Sequence, residues 1–208
     1  MNMMQIQLIS HHNDRFDEAE GIRMALEGGC RWVQLRMKDA DDDRMAQTAR
    51  VARRLCDGYG ATLILDDRVH LVEPTGADGV HLGRDDMPVD EARRRLGPRR
   101  IIGGTANTID DIRRLWAQGA DYIGCGPLRF TATKERLAPL LGFEGYRRLL
   151  GAMRREGIAL PLIAIGGITA SDLPRLQDIG VDGVAVSGYV LQADNPIYAM
   201  QTLTDYER

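Results

Sequence analysis

The sequence predicts a single α/β domain over residues 1–208, a (β/α)8 TIM barrel with a long lid loop between the sixth strand and the sixth helix. Three observations predict it. Short apolar, strand-like runs alternate eight times with helical segments. The 208 residues spread over eight units give about 26 each, enough for a compact barrel repeat. A Gly-Ala/Val-Asp turn recurs before strands, at Gly76-Ala77-Asp78, Gly119-Ala120-Asp121 and Gly180-Val181-Asp182, where it ends a helix and enters a strand. A doubly wound open sheet is the alternative, and the missing GxGxxG after the first strand counts against it.

The elements follow in order. Gln5–His11 reads as the first strand, and Asp14–Gly29 as a helix capped by Asp14 or Asp17 and stopped by Gly28-Gly29. Trp32–Met37 is the second strand. The Asp41–Asp57 helix after it opens on the acidic run Asp41–Asp43 and is closed by Gly58. Thr62–Asp66 is the third strand, with a short helix or turn to about Pro74. Gly79–Gly83 is the fourth, and Val89–Leu96 its helix, ended by Gly97-Pro98. Ile101–Ala106 and Thr108–Gln118 form the fifth pair. Tyr122–Gly126 is the sixth strand, and its helix, Phe143–Glu156, comes only after the connection 127–142. Loops of that length on the catalytic face of a barrel are often lids. Pro161–Gly167 with Ser171–Ile179, then Gly183–Gly188 with Pro196–Thr204, complete the eight.

Composition narrows the function classes. Hydrophobic residues at 44% and charged residues at 27% fit a soluble globular protein. A net charge of -3 and an aromatic content of 5% argue against nucleic-acid binding by phosphate contacts or base stacking. No apolar run approaches the roughly 20 residues that cross a bilayer, and the first residues lack a signal peptide's pattern. Cys30, Cys56 and Cys125 stand apart with no CxxC pair, so they read as small buried hydrophobes in a cytoplasmic protein. Met24, Met45 and Met153 read as core. Arg93–Arg95 with Arg99-Arg100 reads as a solvated helix face. Homo-oligomerisation is left open.

The second strand carries the first chemical signal. Gln34, Arg36 and Lys38 share one face, and Val33, Leu35 and Met37 the other. With the apolar face packed on helices, the polar set points into the barrel mouth. Two cations there need an anion, most simply a phosphorylated ligand, unless they make structural ion pairs. Asp66-Asp67 end the third strand and Asp85-Asp86 follow the fourth. Carboxylates on adjacent strand ends can share a hard cation such as Mg²⁺, or can simply cap helices or face solvent. His81 reads first as a satisfied core histidine. Gly166-Gly167 and Ser187-Gly188 lie where barrels often bind phosphate, or are two tight turns. The lid adds Thr131, Thr133 and Lys134. Two anion sites, one of them rich in cations and metal ligands, suit two phosphorylated small-molecule substrates, one of them a pyrophosphate.

The segments VQLRMK (33–38), LDD (65–67), ADGVHLGRDD (77–86), GGTANT (103–108), DYIGCGPLRFTATK (121–134), IAIGGIT (163–169) and DGVAVSG (182–188) together resemble the thiamine-phosphate synthase family over nearly the whole chain. The resemblance implies a TIM-barrel transferase that joins a hydroxymethylpyrimidine pyrophosphate to a thiazole phosphate, or its carboxylated form, and releases pyrophosphate with Mg²⁺. It implies a dissociative mechanism. Gln34 would contact the pyrimidine, and Arg36, Lys38 and Lys134 would hold the pyrophosphate. Asp67 and Asp86 would ligate Mg²⁺. Thr105, where the family often has serine, would lie near the reacting pyrimidine and act with the three cations in catalysis. Thr131, Thr133, Gly167, Ser187 and Gly188 would hold the thiazole phosphate. Asp66 stands where asparagine is common and is placed with the substrate-binding residues. Met37, Asn107 and Phe130 replace a usual glutamate, histidine and proline.

Three other functions compete. A thiazole tautomerase shares the barrel but relies on a histidine where this chain has Asn107. A phosphosugar isomerase or epimerase would use His81 as half of an acid–base pair and leave the cations idle. A non-catalytic phosphate-ligand-binding barrel would keep the pocket without turnover.

Overall fold

The computed structural model describes residues 4–130 and 140–206. Among them, parallel strands β1 (Gln5–Ile9), β2 (Trp32–Leu35), β3 (Thr62–Asp66), β4 (Gly79–Leu82), β5 (Ile101–Ala106), β6 (Tyr122–Cys125), β7 (Leu162–Ile165) and β8 (Gly183–Val186) pair in chain order, and β8 closes on β1. The closed ladder rules out the open doubly wound sheet. Around it lie α1 (Glu18–Glu27), α2 (Asp42–Tyr59), α3 (Val72–Thr75), α4 (Val89–Leu96), α5 (Ile109–Ala117), α6 (Gly142–Glu156), α7 (Leu173–Ile179), α8 (Gly188–Leu191) and α9 (Pro196–Thr204).

Strand alternation sorts the core into two bodies. The outward residues Val33, Leu35, Leu63, Leu65, Val80, Leu82, Ile102, Ile123, Leu162 and Val184 join the helices in one large apolar shell. The inward residues Ile9, Tyr122, Ile163 and Ala185 form a small plug inside the barrel, with Trp32, Ile101 and Ile165 packed against it. Tyr122 and Trp32 meet edge to face across this plug. Gly103 makes room for them, because a Cβ there would lie 2.1 Å from the Tyr122 ring.

Several element ends differ from the sequence reading, each for a local reason. The first helix starts at Glu18, because the Asp17 side chain caps it while Asn13 holds the N–H groups of Arg15 and Phe16 in a turn. The second helix runs through Gly58 and ends at Gly60, the residue with a left-handed φ of 61°. Gly188, read as the end of the last strand, opens the extra helix α8. Arg93 is not simply solvated: it reaches the carbonyls of Gly97, Arg100 and Gly119 and the Asp121 carboxylate. Arg94 and Arg95 do pair along the exposed helix face. Cys30, Cys56 and Cys125 are buried free thiols, and Met45 and Met153 are core.

The recurrent Gly-Ala/Val-Asp turn does more than stop helices. Asp78 accepts a hydrogen bond from the Leu63 N–H at 2.7 Å, Asp121 from Ile102 at 2.7 Å and Asp182 from Leu162 at 2.8 Å. The backbone N–H of each aspartate returns a bond to the same partner's carbonyl. Three pairs of strands are thus stitched by one device at the end of the barrel opposite the mouth. Asp182→Ala leaves the Leu162 N–H unpaired and is expected to cost about 1–2 kcal/mol of stability. A urea midpoint equal to wild type would show that the stitch contributes nothing.

Candidate active site

At the carboxyl ends of β2, β3 and β4 the inward alternation continues with polar side chains. Gln34 and Asp66 are both buried, and the Gln34 Nε2 donates to Asp66 Oδ1 at 2.6 Å. The other carboxylate oxygen, Asp66 Oδ2, is buried and makes no hydrogen bond among the described residues. Arg36 Nε lies 3.6 Å from it and Lys38 Nζ 3.5 Å, ion-pair contacts too long for hydrogen bonds. Met37 packs outward into the shell, as the alternation requires.

Asp67, the next residue, has a left-handed φ of 64°, the one non-glycine residue so described. Its N–H bonds the His81 carbonyl at 2.9 Å, and its carboxylate contacts the Lys38 ammonium. Asp86 comes from the loop after β4. Its Oδ2 accepts the Gly83 N–H at 2.6 Å, and its carboxyl lies within hydrogen-bonding reach of that of Asp67. A Cβ at Gly83 would sit 2.9 Å from that oxygen, so glycine permits the approach. Two cations here face three carboxyl groups. Burial pushes the Asp66 carboxyl up against the pull of Lys38 and Arg36, and burial together with Asp67 pushes Asp86 up. Burial opposes the Lys38 charge, but the three carboxylates outweigh it and raise its pKa.

His81 is a bonded core histidine. Its Nδ1 meets the Tyr122 hydroxyl at 3.0 Å, and its Nε2 meets the Thr105 hydroxyl at 2.9 Å. Thr105 is half-buried beside it on β5. The Asn107 amide donates to the Gly126 carbonyl. Burial pushes the Cys125 thiol up to about 12, so it offers no thiolate at neutral pH.

Across the mouth lie the turns after β7 and β8. Gly166 and Gly167 have left-handed φ values of 94° and 69°. Ser187 donates its hydroxyl proton to the Ile9 carbonyl at 2.6 Å, so its contact with His11 Nδ1 at 2.7 Å has histidine as the donor. Burial, then His12 and Arg36, lower the His11 pKa, which favours a neutral ring with Nε2 as an acceptor. Thr131, Thr133 and Lys134 lie outside the described residues.

The structure therefore brings Gln34, Arg36, Lys38, Asp66, Asp67 and Asp86 into one cluster. It sets Thr105 on His81, and places Gly167, Ser187 and Gly188 on the turns after β7 and β8. Comparison with known proteins identifies the family. The family model described as thiamine monophosphate synthase matches residues 6–190. The chain belongs to the thiamine monophosphate synthase family. The thiamine-phosphate synthase of Phocaeicola vulgatus is 52% identical over 194 residues, 93% of each chain. That of Bacteroides thetaiotaomicron is 47% identical over 206 residues, 99% of each. The solved thiamine phosphate pyrophosphorylase from Pyrococcus furiosus has a TM-score of 0.87 and 32% identity, covering 98% of this chain and 95% of that one. Membership of the family makes the chain an enzyme, a transferase that forms thiamine phosphate.

Sequence reasoning missed His11, Ser10, Arg129 and Asp172. Ser10 Oγ accepts the Arg36 N–H at 3.0 Å and so fixes the cation's backbone. His11 ends a strand-like run and carries no motif, so only the closure of β8 on β1 reveals its partner. The left-handed Asp67 generates a prediction. Glycine relieves the strain and alanine does not, so Asp67→Gly should be more stable than Asp67→Ala by about 1 kcal/mol. Equal urea midpoints for the two variants would refute the strain.

Proposed function

We propose that the barrel mouth condenses 4-amino-5-hydroxymethyl-2-methylpyrimidine pyrophosphate with 4-methyl-5-(2-phosphoethyl)thiazole, or its carboxylated form, by a dissociative route. The observation that carries this reading is the cluster at the ends of β2, β3 and β4. There Arg36 and Lys38 stand over the Asp66, Asp67 and Asp86 carboxyls, with a glycine turn opposite. Arg36 and Lys38, with Lys134 of the lid by the family pattern, hold the pyrophosphate. Gln34 and Asp66 meet the pyrimidine end, since their mutual bond leaves the Gln34 carbonyl and Asp66 Oδ2 for a ligand. Thr105 borders the reacting carbon, oriented by His81. Gly167, Ser187 and Gly188 hold the thiazole phosphate through backbone N–H groups, joined by Thr131 and Thr133. The Ser187 hydroxyl is committed to Ile9.

The donor set fits Mg²⁺. Asp67 and Asp86 supply two close carboxyls after adjacent strands. Two carboxylates completed by water and substrate phosphate is the usual Mg²⁺ arrangement. When bound, the ion would neutralise charge building on the departing pyrophosphate. The C–O bond breaks with its electron pair leaving on pyrophosphate. The amino-substituted ring stabilises the resulting methylene cation, and the thiazole nitrogen lone pair then forms the C–N bond; the carboxylated form also loses its carboxylate as CO2. Arg36 and Lys38 stabilise the leaving charge, and the glycine turn fixes the thiazole so that its nitrogen faces the cation. No covalent nucleophile is needed. Asn107 spends its amide on the Gly126 carbonyl, which leaves no acid–base group at the position a tautomerase would use.

This chain is read as a single-domain cytoplasmic enzyme of small-molecule substrates, with no nucleic-acid or membrane partner. No helix among the described residues is long and apolar enough to cross a membrane.

Purified protein with both substrates and Mg²⁺ is expected to yield thiamine phosphate, and EDTA to abolish it. Folded protein that makes no product would favour the tautomerase or the ligand-binding barrel. Arg36→Ala and Lys38→Ala should each lower kcat/KM for the pyrophosphate substrate by about 100-fold. An unchanged kcat/KM would remove them from the pyrophosphate site. Asp67→Asn should shift the Mg²⁺ titration to higher concentration, and an unaltered curve would exclude it as a ligand.

A further inference from the structure

We propose that Arg129 is a positioning residue that holds the Gly166–Gly167 turn in its phosphate-accepting shape through Asp172. The inference rests on the reading above that this turn holds the thiazole phosphate.

Arg129 stands four residues beyond β6, at the root of the long connection to α6. The backbone there is stitched to its neighbours. Leu128 and Arg129 donate to the Ile165 and Gly166 carbonyls at 2.9 and 3.1 Å, extending the strand pairing past the end of β7. Leu141 and Gly142 donate to the Pro127 and Leu128 carbonyls at 2.9 and 3.2 Å, so the two ends of the connection are tied together.

From this base the guanidinium reaches across the turn. Nη1 and Nη2 each donate to one oxygen of Asp172 at 2.6 Å, a bidentate fork, and Nη1 also donates to the Gly167 carbonyl at 2.5 Å. Asp172 is 5% exposed and accepts from the Thr169 N–H and hydroxyl, both at 2.9 Å. One side chain therefore fixes the turn at both ends, at the Gly167 carbonyl directly and at the Thr169 N–H through Asp172. Two successive glycines have more backbone freedom to lose than any other pair, so such a turn needs an external clamp to keep one shape. The clamp is also sterically matched: a Cβ at Gly167 would lie 2.5 Å from Arg129 Cγ.

The electrostatic consequence is specific. A free carbonyl at Gly167 would repel a phosphate, and Arg129 holds that carbonyl to itself. The Asp172 charge cancels that of the guanidinium, so Arg129 acts on the turn's geometry and adds no net charge for the ligand. Arg129 is 43% exposed while Asp172 is buried, so removing either partner is expected to cost some stability, and the kinetics are read beside Tm for that reason.

The test is steady-state kinetics on Arg129→Met and Asp172→Asn, with each substrate varied in turn and Tm measured alongside. The expected result for both variants is a KM for the thiazole phosphate raised at least ~10-fold and a KM for the pyrimidine pyrophosphate within about 2-fold of wild type. Arg129→Lys should fail to restore it, because lysine cannot form the fork. The double variant should be no worse than the more affected single. Unchanged kinetics in both singles, or both KM values rising together with a large fall in Tm, would overturn the proposal. Gly188→Asp separates this failure from failure of the underlying reading. A side chain fits there, with the nearest atom 3.4 Å from the added Cβ, and its charge must repel a phosphate held at the adjoining turn. A raised thiazole phosphate KM in Gly188→Asp with none in Arg129→Met sinks only the clamp. No change in either sinks the phosphate reading as well.

Discussion

Closure of eight short parallel strands imposes one constraint on everything else. Every second residue of a strand must enter an interior only a few side chains wide. In the lower part of the barrel that interior is filled by Tyr122, Ile163, Ile9 and Ala185. Above them the same inward positions carry Gln34, Asp66, His81 and Thr105, polar groups that must find partners inside or be met by a ligand. Gln34 with Asp66, and His81 with Tyr122 and Thr105, satisfy one another. Asp66 Oδ2 does not. The site is therefore the place where the barrel's internal pairing runs out and polar capacity is left facing the mouth.

The charge balance at that place is the physical reason for proposing a metal there. Arg36 and Lys38 alone would attract a polyanion strongly, but Asp66 draws on both cations and Asp67 and Asp86 on Lys38. A divalent ion between Asp67 and Asp86 would add positive charge to the cluster and free Lys38 toward substrate. On the opposite side of the mouth the proposed binding groups are backbone N–H groups on glycine turns, and Arg129 and His11 bond to those turns.

Much of this was legible in the sequence because it depends on short-range rules. Period-two alternation placed Gln34, Arg36 and Lys38 on one face and Met37 on the other, and the structure agrees. Eight alternating signals gave the barrel, and the motif order identified the family that the comparisons confirm. The parts that were not legible depend on partners far apart in the chain. His11 meets Ser187 only because β8 closes on β1. Arg129 finds Asp172 only because the chain just after β6 runs beside the end of β7. The stitching role of Asp78, Asp121 and Asp182 needed strand register, which their repeated motif hints at but does not contain. Helix ends shifted where competing glycines stood close together, as at Gly58 and Gly60, since only the left-handed one can terminate the helix.

The central claim is that the acidic and basic side chains after β2, β3 and β4 form a pyrophosphate site completed by Mg²⁺. Calorimetric titration of the protein with inorganic pyrophosphate, in Mg²⁺ and in EDTA, tests it most directly. The account predicts binding at least ~10-fold tighter with Mg²⁺, and loss of that difference in Asp67→Asn. Equal affinity in both conditions would contradict it, because the protein would then hold the polyanion without the metal.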